Sequence, residues 1–274
     1  MARPLRIEFP GALYCVSARG RGGRPVFLTP EDGEGFLEVL GQVARRFDWC
    51  VYAYCLLPNR YRLVVQTRAA SLSEGMRRLG GLATQAFNRR HGARGPLFQG
   101  RFKAVLVERD AYLAQVCRDV LRGPVEAGLA GHPRDWRWSS CRATEMGKAP
   151  DWLDRDGVLA RFGADPTAAA RAFTDFVAED ASDERMWAGR RGQIFLGSAD
   201  FAAETKALAA AAGAAVAVPK PLSWYGARYP DRHEAMARAH LEGGYAQPEV
   251  ARHFVVHFST VSRAAARLAR AKAA

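Results

Sequence analysis

Two apolar segments separated by Pro58-Asn59 constrain the fold of this chain more than any other feature. Residues 49–57 and residues 61–66 are rich in strand-forming residues, and Pro58-Asn59 suits a tight connection, so the pair predicts a β-hairpin. Because side chains alternate between the two faces of a strand, Arg60 and Arg62 should project from one face and Tyr61 from the opposite, core-facing side. Two neighbouring cations are either solvated at a sheet edge or placed to bind an anion.

The rest of the first 121 residues alternates between strand and helix patterns. We expect a strand at residues 11–20, a helix from the capping sequence Thr29-Pro30-Glu31-Asp32, a helix at residues 71–91, a strand at residues 97–108 and a helix at residues 111–121. With the hairpin in the middle, this order predicts an α+β fold of the ferredoxin-like type, an antiparallel sheet with helices on one face.

Residues beyond 147 show mostly helical spacing. Residues 213–222 have no periodicity and contain two prolines, which is typical of a linker. We therefore expect a core at residues 1–147, a helical extension at residues 148–212, this linker, and a mostly helical C-terminal module at residues 223–274. Within that module, helices are expected at residues 231–241, 247–254 and 259–270.

The last two of these helices resemble a helix-turn-helix, a module that binds duplex DNA. Ser259 is expected to cap the second helix, and Thr260, Arg263 and Arg267 form one stripe along it that would face the groove. Val255 stands where a turn glycine with a positive φ is usual. An unrelated amphipathic helical hairpin is the alternative interpretation.

The chain is strongly basic, with 40 Lys and Arg against 28 Asp and Glu, a formal net charge of +12 and a pI near 10.0. This balance favours a polyanionic partner, with nucleic acid preferred over an anionic membrane surface. The candidate DNA-contacting residues of the core are Arg19, Arg21, Arg60, Arg62, Arg89, Arg90, Arg101, Lys103 and Arg118.

The five cysteines are odd in number and form no C-x-x-C pair, so neither a disulfide framework nor a zinc ribbon is expected. No signal peptide and no run of 18 apolar residues is recognisable. We therefore expect a cytoplasmic protein with reduced thiols and no membrane association.

Six separated segments resemble the single-tyrosine HUH transposases, in particular the REP-associated tyrosine transposases. They are Gly11-Ala12-Leu13-Tyr14, Pro58-Asn59 with the strand that follows, Phe87-Asn88-Arg89-Arg90-His91, Leu97-Phe98-Gln99-Gly100-Arg101-Phe102-Lys103, Pro124-Val125-Glu126-Ala127-Gly128-Leu129 and Trp136-Arg137-Trp138-Ser139-Ser140. The resemblance spans residues 5–147 and implies an HUH nuclease core. In that family two histidines hold Mg²⁺ or Mn²⁺, and a tyrosine forms a covalent phosphotyrosine.

This chain departs from the family at the positions that carry its chemistry. The two histidine positions hold Arg60 and Arg62, and the tyrosine position holds Asp119. A guanidinium group has no lone pair for a metal, and a carboxylate is repelled by the phosphate that it would attack. Tyr112, two helical turns before Asp119, is interpreted as a packing residue. We therefore expect no metal or other cofactor. Whether Arg60 and Arg62 clamp a phosphate or one of them pairs with Asp119 is left open.

The sequence thus predicts a transposase-derived DNA-binding protein without catalytic activity. Its core would bind single-stranded or hairpin DNA, and its C-terminal module would bind duplex DNA. A host regulatory role and a homodimer are both compatible with this interpretation. Two alternatives stay open: an active DNA transposase or nickase with relocated catalytic residues, and a DNA-binding scaffold that partners an active transposase.

Overall fold

The computed structural model describes residues 7–179, 184–191, 194–211, 221–243, 245 and 247–271. These residues form two compact units, which we call the core unit (residues 7–211) and the C-terminal unit (residues 221–271). None of the helices among the described residues is long and apolar enough to cross a membrane.

The core unit is built on a five-stranded sheet. Its strands are β1 (Ala12–Arg19), β2 (Trp49–Leu57), β3 (Arg60–Thr67), β4 (Lys103–Val107) and β5 (Phe195–Leu196), in the spatial order β2-β3-β1-β4-β5. The first four strands pair antiparallel, and β5 runs parallel to β4. The α+β class and the antiparallel sheet expected from the sequence are confirmed.

Helices connect and cover these strands. The helices of the core unit are α1 (Pro30–Phe47), α2 (Leu72–His91), α3 (Arg109–Glu126), α4 (Cys141–Met146), α5 (Arg155–Leu159), α6 (Pro166–Ala178), α7 (Glu184–Ala188) and α8 (Ala199–Ala211). The order β1-α1-β2-β3-α2-β4 is the pattern of ferredoxin-like folds. Capping and apolar periodicity predicted this order of elements. The strand expected at residues 97–108 is shorter, since β4 begins at Lys103.

Helices cover both faces of the sheet, whereas the sequence placed them on one. Cys15 and Val64 belong to one hydrophobic cluster with Val116 of α3. Tyr61 is an odd number of positions from Val64 and so points to the other face. There its ring packs against Phe36 of α1, with centroids 4.7 Å apart, and α1 packs on α2. The core-facing orientation predicted for Tyr61 is confirmed, and α3 lies on the opposite face from α1 and α2.

Asp32 fixes the start of α1 and joins it to the end of α2. Its carboxylate accepts hydrogen bonds from the backbone N–H groups of Leu28 and Thr29 at 2.9 and 3.1 Å, as part of a capping box. Arg90 Nη1 and His91 Nε2 lie 2.6 and 2.9 Å from the same carboxylate. Burial acts to raise the pKa of Asp32, but these hydrogen bonds outweigh it and lower the pKa. The carboxylate is therefore a charged link between two helices.

α3 continues past the predicted end near residue 121 and includes Pro124. Proline normally stops a helix because it lacks an N–H group. Here the last turn is closed by other donors, since the N–H of Ala127 donates to Gly123 at 3.1 Å and that of Leu129 donates to Pro124 at 2.8 Å. The extra turn lengthens the cover that α3 gives to its face of the sheet.

Segments that follow α3 protect both edges of the sheet. The N–H of Leu56 donates to the carbonyl of Trp138 at 2.8 Å, and that of Ser140 donates to Tyr54 at 3.0 Å, which extends pairing beyond β2. At the other edge, β5 pairs with β4. The predicted helical extension therefore contributes a strand and packs within the core unit. Covered edges are not available for pairing with other chains.

The C-terminal unit contains four helices, α9 (Leu222–Arg228), α10 (Arg232–Leu241), α11 (Gln247–His253) and α12 (Phe258–Ala271). The last three confirm the predicted helices, and α9 was not predicted. Tyr225, Met236, Val250 and Val261 share a common core. The predicted linker at residues 213–222 lies outside the described residues, apart from its last two positions.

The turn between α11 and α12 differs in one detail from the prediction. α12 begins at Phe258, so Ser259 lies inside the helix and does not cap it. His257 stands at the capping position, with Nδ1 3.4 Å from the backbone nitrogen of Ser259. Val255 adopts a φ of 50°, a conformation that is unusual for a β-branched residue. The turn therefore imposes the left-handed conformation that glycine would adopt easily.

Two glycines of α2 provide a matched test of packing on the α1–α2 face. A Cβ atom at Gly75 would come within 2.2 Å of Trp49, a ring that is 5% exposed and whose Nε1 donates to Ser71 at 3.0 Å. We expect Gly75→Ala to destabilise the core unit by about 1–3 kcal/mol, although alanine favours helix. At Gly81 a Cβ meets nothing within 4 Å, so Gly81→Ala should stabilise it by up to about 1 kcal/mol. Thermal unfolding measures both, and shifts of the same sign would contradict this account.

Candidate nucleic-acid interface

Four cationic side chains share one face at one end of the sheet. Ser17 of β1 is paired with Arg62 of β3 and with Lys103 of β4, and Arg19 of β1 is paired with Arg60 of β3. Directly paired residues have Cβ atoms about 5 Å apart, and residues two apart along a strand share a face. Arg19, Arg60, Arg62 and Lys103 therefore surround Ser17, and we call these four residues the cation cluster.

Two loops bring further arginines to this end of the sheet. The N–H of Arg21 donates to the carbonyl of Leu97 at 3.0 Å, and the N–H of Gln99 donates to Arg19 at 2.8 Å. These bonds hold the glycine-rich turn that starts at Arg21 beside the segment that contains Arg101. Both arginines are exposed. They extend the basic surface beyond the ends of the strands.

Arg62 forms an ion pair with Asp119 of α3. Its Nη2 donates to the carboxylate of Asp119, and its Nη1 donates to the backbone carbonyl of the same residue at 3.0 Å. The two side chains are 19% and 8% exposed. The question left open by the sequence is thereby answered for Arg62, which pairs with Asp119, while Arg60 takes no part in the pair. The contact holds α3 against β3.

Burial controls the protonation of the groups around this pair. It raises the pKa of Cys15 to about 11 and that of Cys55 to about 12, although Arg62 acts to lower both. Burial acts to lower the pKa of Arg62, but Cys15 and Asp119 raise it on balance. At neutral pH the guanidinium is therefore charged and both thiols are protonated. Protonated thiols provide neither a nucleophile nor a metal ligand.

The other three members of the cation cluster form no ion pair with any residue that the structure describes. Within the part of the chain that the structure describes, no carboxylate lies within ion-pairing distance of Arg19, Arg60 or Lys103. Arg19 and Lys103 are exposed, and Arg60 is partly exposed. Like charges on paired strands repel each other, and an anion with several oxygen acceptors relieves that repulsion. The arrangement can therefore bind a phosphate group.

Two predicted DNA-contacting arginines are engaged in packing contacts. Arg118 is 8% exposed, lies 3.5 Å from a carboxylate oxygen of Glu179 and stacks over the ring of Phe176 at 4.3 Å. Arg90 of α2 forms an ion pair with Asp32 of α1. Neither arginine belongs to the cation cluster. Each pairs with a carboxylate of another segment of the core unit. Arg89 is exposed on the last turn of α2.

A second basic surface lies on α12 of the C-terminal unit. Arg263 and Arg267 are exposed, and Thr260 is partly buried one turn before Arg263 and two turns before Arg267. The spacing places the three on one side of the helix, while Val261 points into the core of the unit. Arg267 lies 3.4 Å from Asp231, but this contact is largely exposed and contributes little. The predicted stripe is therefore present at the surface.

The cation cluster does not fit a divalent metal ion or a tyrosine nucleophile. Among the described residues, no three His, Cys, Asp or Glu side chains are grouped as ligands, and guanidinium groups cannot ligate a metal. Tyr112 of α3 packs against the hydrophobic cluster beneath the sheet, which agrees with its interpretation as a packing residue. The site offers positive charge and hydrogen-bond donors to an anion.

Sequence reasoning missed Ser17, which lies between Arg62 and Lys103. Alternation along β1 places Ser17 on the face of Cys15. It does not reveal which residues of the neighbouring strands stand opposite, because strand register depends on the whole sheet. The register is what converts four separated cations into one cluster.

The Arg62–Asp119 pair is expected to contribute strongly to stability. Asp119→Ala would leave a largely buried guanidinium without its partner, which costs about 3–5 kcal/mol. Asp110→Ala is the matched control on the same helix, because Asp110 is 83% exposed and its ion pairs contribute about 1 kcal/mol or less. Urea unfolding of the two variants measures the difference. Equal losses of stability would show that the pair has no special role.

Neither a protein-family model nor a curated protein matches this sequence. Among solved structures, the chain is similar to a REP-associated tyrosine transposase bound to a REP hairpin, with a TM-score of 0.46 and 19% sequence identity. The similarity covers 56% of this chain and 92% of that chain. The relationship between the two proteins is a distant one in fold.

Proposed function

We propose that this protein binds DNA without cleaving it, through the cation cluster of the core unit and the basic stripe of α12. The observation that carries the proposal is the positive charge of Arg19, Arg60 and Lys103, which strand register places around one point of the sheet and which no carboxylate among the described residues pairs with. A nucleic-acid backbone supplies the regularly spaced phosphates that such a surface binds. The formal net charge of +12 adds long-range attraction for a polyanion.

DNA is the class of polyanion that the motif resemblance implies. For the core unit we propose single-stranded or hairpin DNA, because its basic surface consists of a sheet end and loops. Among the described residues of this surface, no helix presents a row of side chains that could read a major groove. Exposed arginines on a sheet and on loops suit backbone contacts, which position DNA without reading its sequence.

The residues at the cation cluster support the proposed absence of cleavage. Arg60 and Arg62 cannot hold a metal that would polarise a phosphate. The carboxylate of Asp119 is engaged with Arg62 and is not free to attack a phosphate. An active strand-transferase with relocated residues is the alternative. A nicking assay with Mg²⁺ and Mn²⁺ distinguishes the two, because a labelled oligonucleotide that stays attached to the protein after denaturation would support the alternative.

For the C-terminal unit we propose a helix-turn-helix that binds duplex DNA through α12. The observations that support it are the exposed stripe of Arg263 and Arg267 and the left-handed turn at Val255. The first turn of such a helix is the part that reaches base edges in a major groove. The proposal therefore assigns sequence preference to the C-terminal unit and backbone contacts to the core unit.

Arg60→Gln tests the core surface. We expect weaker binding to a hairpin oligonucleotide, and a slope of log K against log salt that is smaller by about 0.7–0.9, which corresponds to one lost phosphate contact. Arg68→Gln is the matched control, because Arg68 follows the other end of β3, is 66% exposed and lies 3.5 Å from Asp48. Fluorescence anisotropy over a range of salt measures both variants. An unchanged slope for Arg60→Gln, or equal losses for the two variants, would contradict the proposal.

Arg263→Ala tests the C-terminal surface. If Arg263 reads a base edge, its loss should cost about 1–3 kcal/mol on the preferred duplex and much less on random duplexes. Arg252→Ala is the control, because Arg252 is exposed on α11 and does not belong to the stripe. Selection of bound duplexes from a random pool, followed by titration, provides the preferred sequence. If Arg263→Ala weakens binding to the preferred and the random duplexes equally, Arg263 contacts a phosphate and does not read a base.

A further inference from the structure

Asp119 stands at an unusual place for a carboxylate, next to a cluster of four cations. It provides Arg62 with two acceptors, the side-chain carboxylate and its own backbone carbonyl. The remaining cations of the cluster, Arg19, Arg60 and Lys103, are not in contact with it. One of the four positive charges is therefore neutralised from within the protein, and the others face outward.

A carboxylate and a phosphate are alternative partners for the same guanidinium. Both present oxygen atoms that accept parallel hydrogen bonds from the planar N–H groups of arginine. Arg62 is 19% exposed, so its surroundings include little water that could replace a lost anion. Its pKa is raised, despite the burial that acts to lower it, by Cys15 and Asp119. Arg62 is thus a charged group that requires an anionic partner.

We propose that the Asp119 carboxylate fills an oxyanion-binding position at Arg62 and so excludes phosphate from it. The consequence for DNA rests on the proposed function: the Arg62–Asp119 contact directs DNA phosphates to Arg19, Arg60 and Lys103. A phosphate that approached Arg62 would meet the negative charge of Asp119 at close range, and this repulsion disfavours it. Asp119 is therefore a specificity-determining residue, because it decides which cations of the cluster can bind a phosphate. Once the carboxylate is removed, its place beside the Arg62 guanidinium binds tetrahedral oxyanions such as sulfate or inorganic phosphate.

The first experiment uses the full chain and sulfate, without DNA. Thermal unfolding of the wild type, Asp119→Ala and the double variant Arg62→Gln/Asp119→Ala is followed in sodium sulfate and in sodium chloride of equal ionic strength. We expect Asp119→Ala alone to show a saturable rise in Tm that is specific to sulfate. At a sulfate concentration of about ten times Kd, the rise should be about 3–6 °C.

The controls separate a site from general salt effects. Asp110→Ala removes a carboxylate that is 83% exposed on the same helix, and it should respond to sulfate as the wild type does. A similar sulfate response in the wild type, or in the double variant that lacks Arg62, would overturn the proposal. So would an Asp119→Ala variant that responds equally to the two salts.

If Asp119→Ala does not fold in ordinary buffer, refolding provides the readout. Recovery of folded protein in sulfate, and not in chloride of equal ionic strength, would support the proposal, because the oxyanion takes the place of the missing carboxylate. Equal recovery in the two salts, including none in either, would contradict it.

A second experiment connects the site to DNA. Asp119→Ala should bind a hairpin oligonucleotide with a salt slope larger by about 0.7–0.9 than that of the wild type, since one more phosphate is neutralised. An unchanged slope would contradict the exclusion of phosphate by Asp119. If the wild type and all variants fail to bind DNA, the proposed function fails, while the sulfate experiment still decides whether the oxyanion position exists.

Discussion

The contact between Arg62 and Asp119 is the interaction on which the functional end of the core unit depends. A largely buried guanidinium is costly unless an anion accompanies it. Asp119 of α3 supplies this anion, and the contact attaches α3 to β3. The rest of the face follows from this arrangement. Arg62 is held inward and neutralised, whereas Arg60, two positions earlier on the same face, keeps its charge toward solvent.

Strand register gives this surface its chemistry. Pairing of β1 with β3 and β4 gathers cations from three separate parts of the chain around Ser17, and the loops that contain Arg21 and Arg101 extend the same end. A divalent metal at such a site brings positive charge together with ligands that can exchange. Arginines bring positive charge and directed hydrogen bonds only. The site is therefore suited to holding a phosphate.

The two units carry different kinds of basic surface. In the core unit the cations stand on a sheet and on loops, where they present an irregular pattern that suits the backbone of a nucleic acid. In the C-terminal unit Arg263 and Arg267 stand on one side of a helix, a regular pattern that suits a groove. Val255 lies in the turn before that helix. Its φ of 50° is a strained conformation for a β-branched residue, and the turn between α11 and α12 requires it.

The sequence by itself determined most of the long helices, the four antiparallel strands and the shared face of Arg60 and Arg62, because caps, turns and side-chain periodicity are local properties. It also determined that arginine replaces histidine where the resemblance implies metal ligands. Only the tertiary structure decided that Asp119 pairs with Arg62, 57 residues away, that Arg118 is used in packing against Phe176, and that α3 covers the opposite face from α1. These outcomes depend on register and burial, which arise from contacts between distant parts of the chain, and no local pattern encodes them.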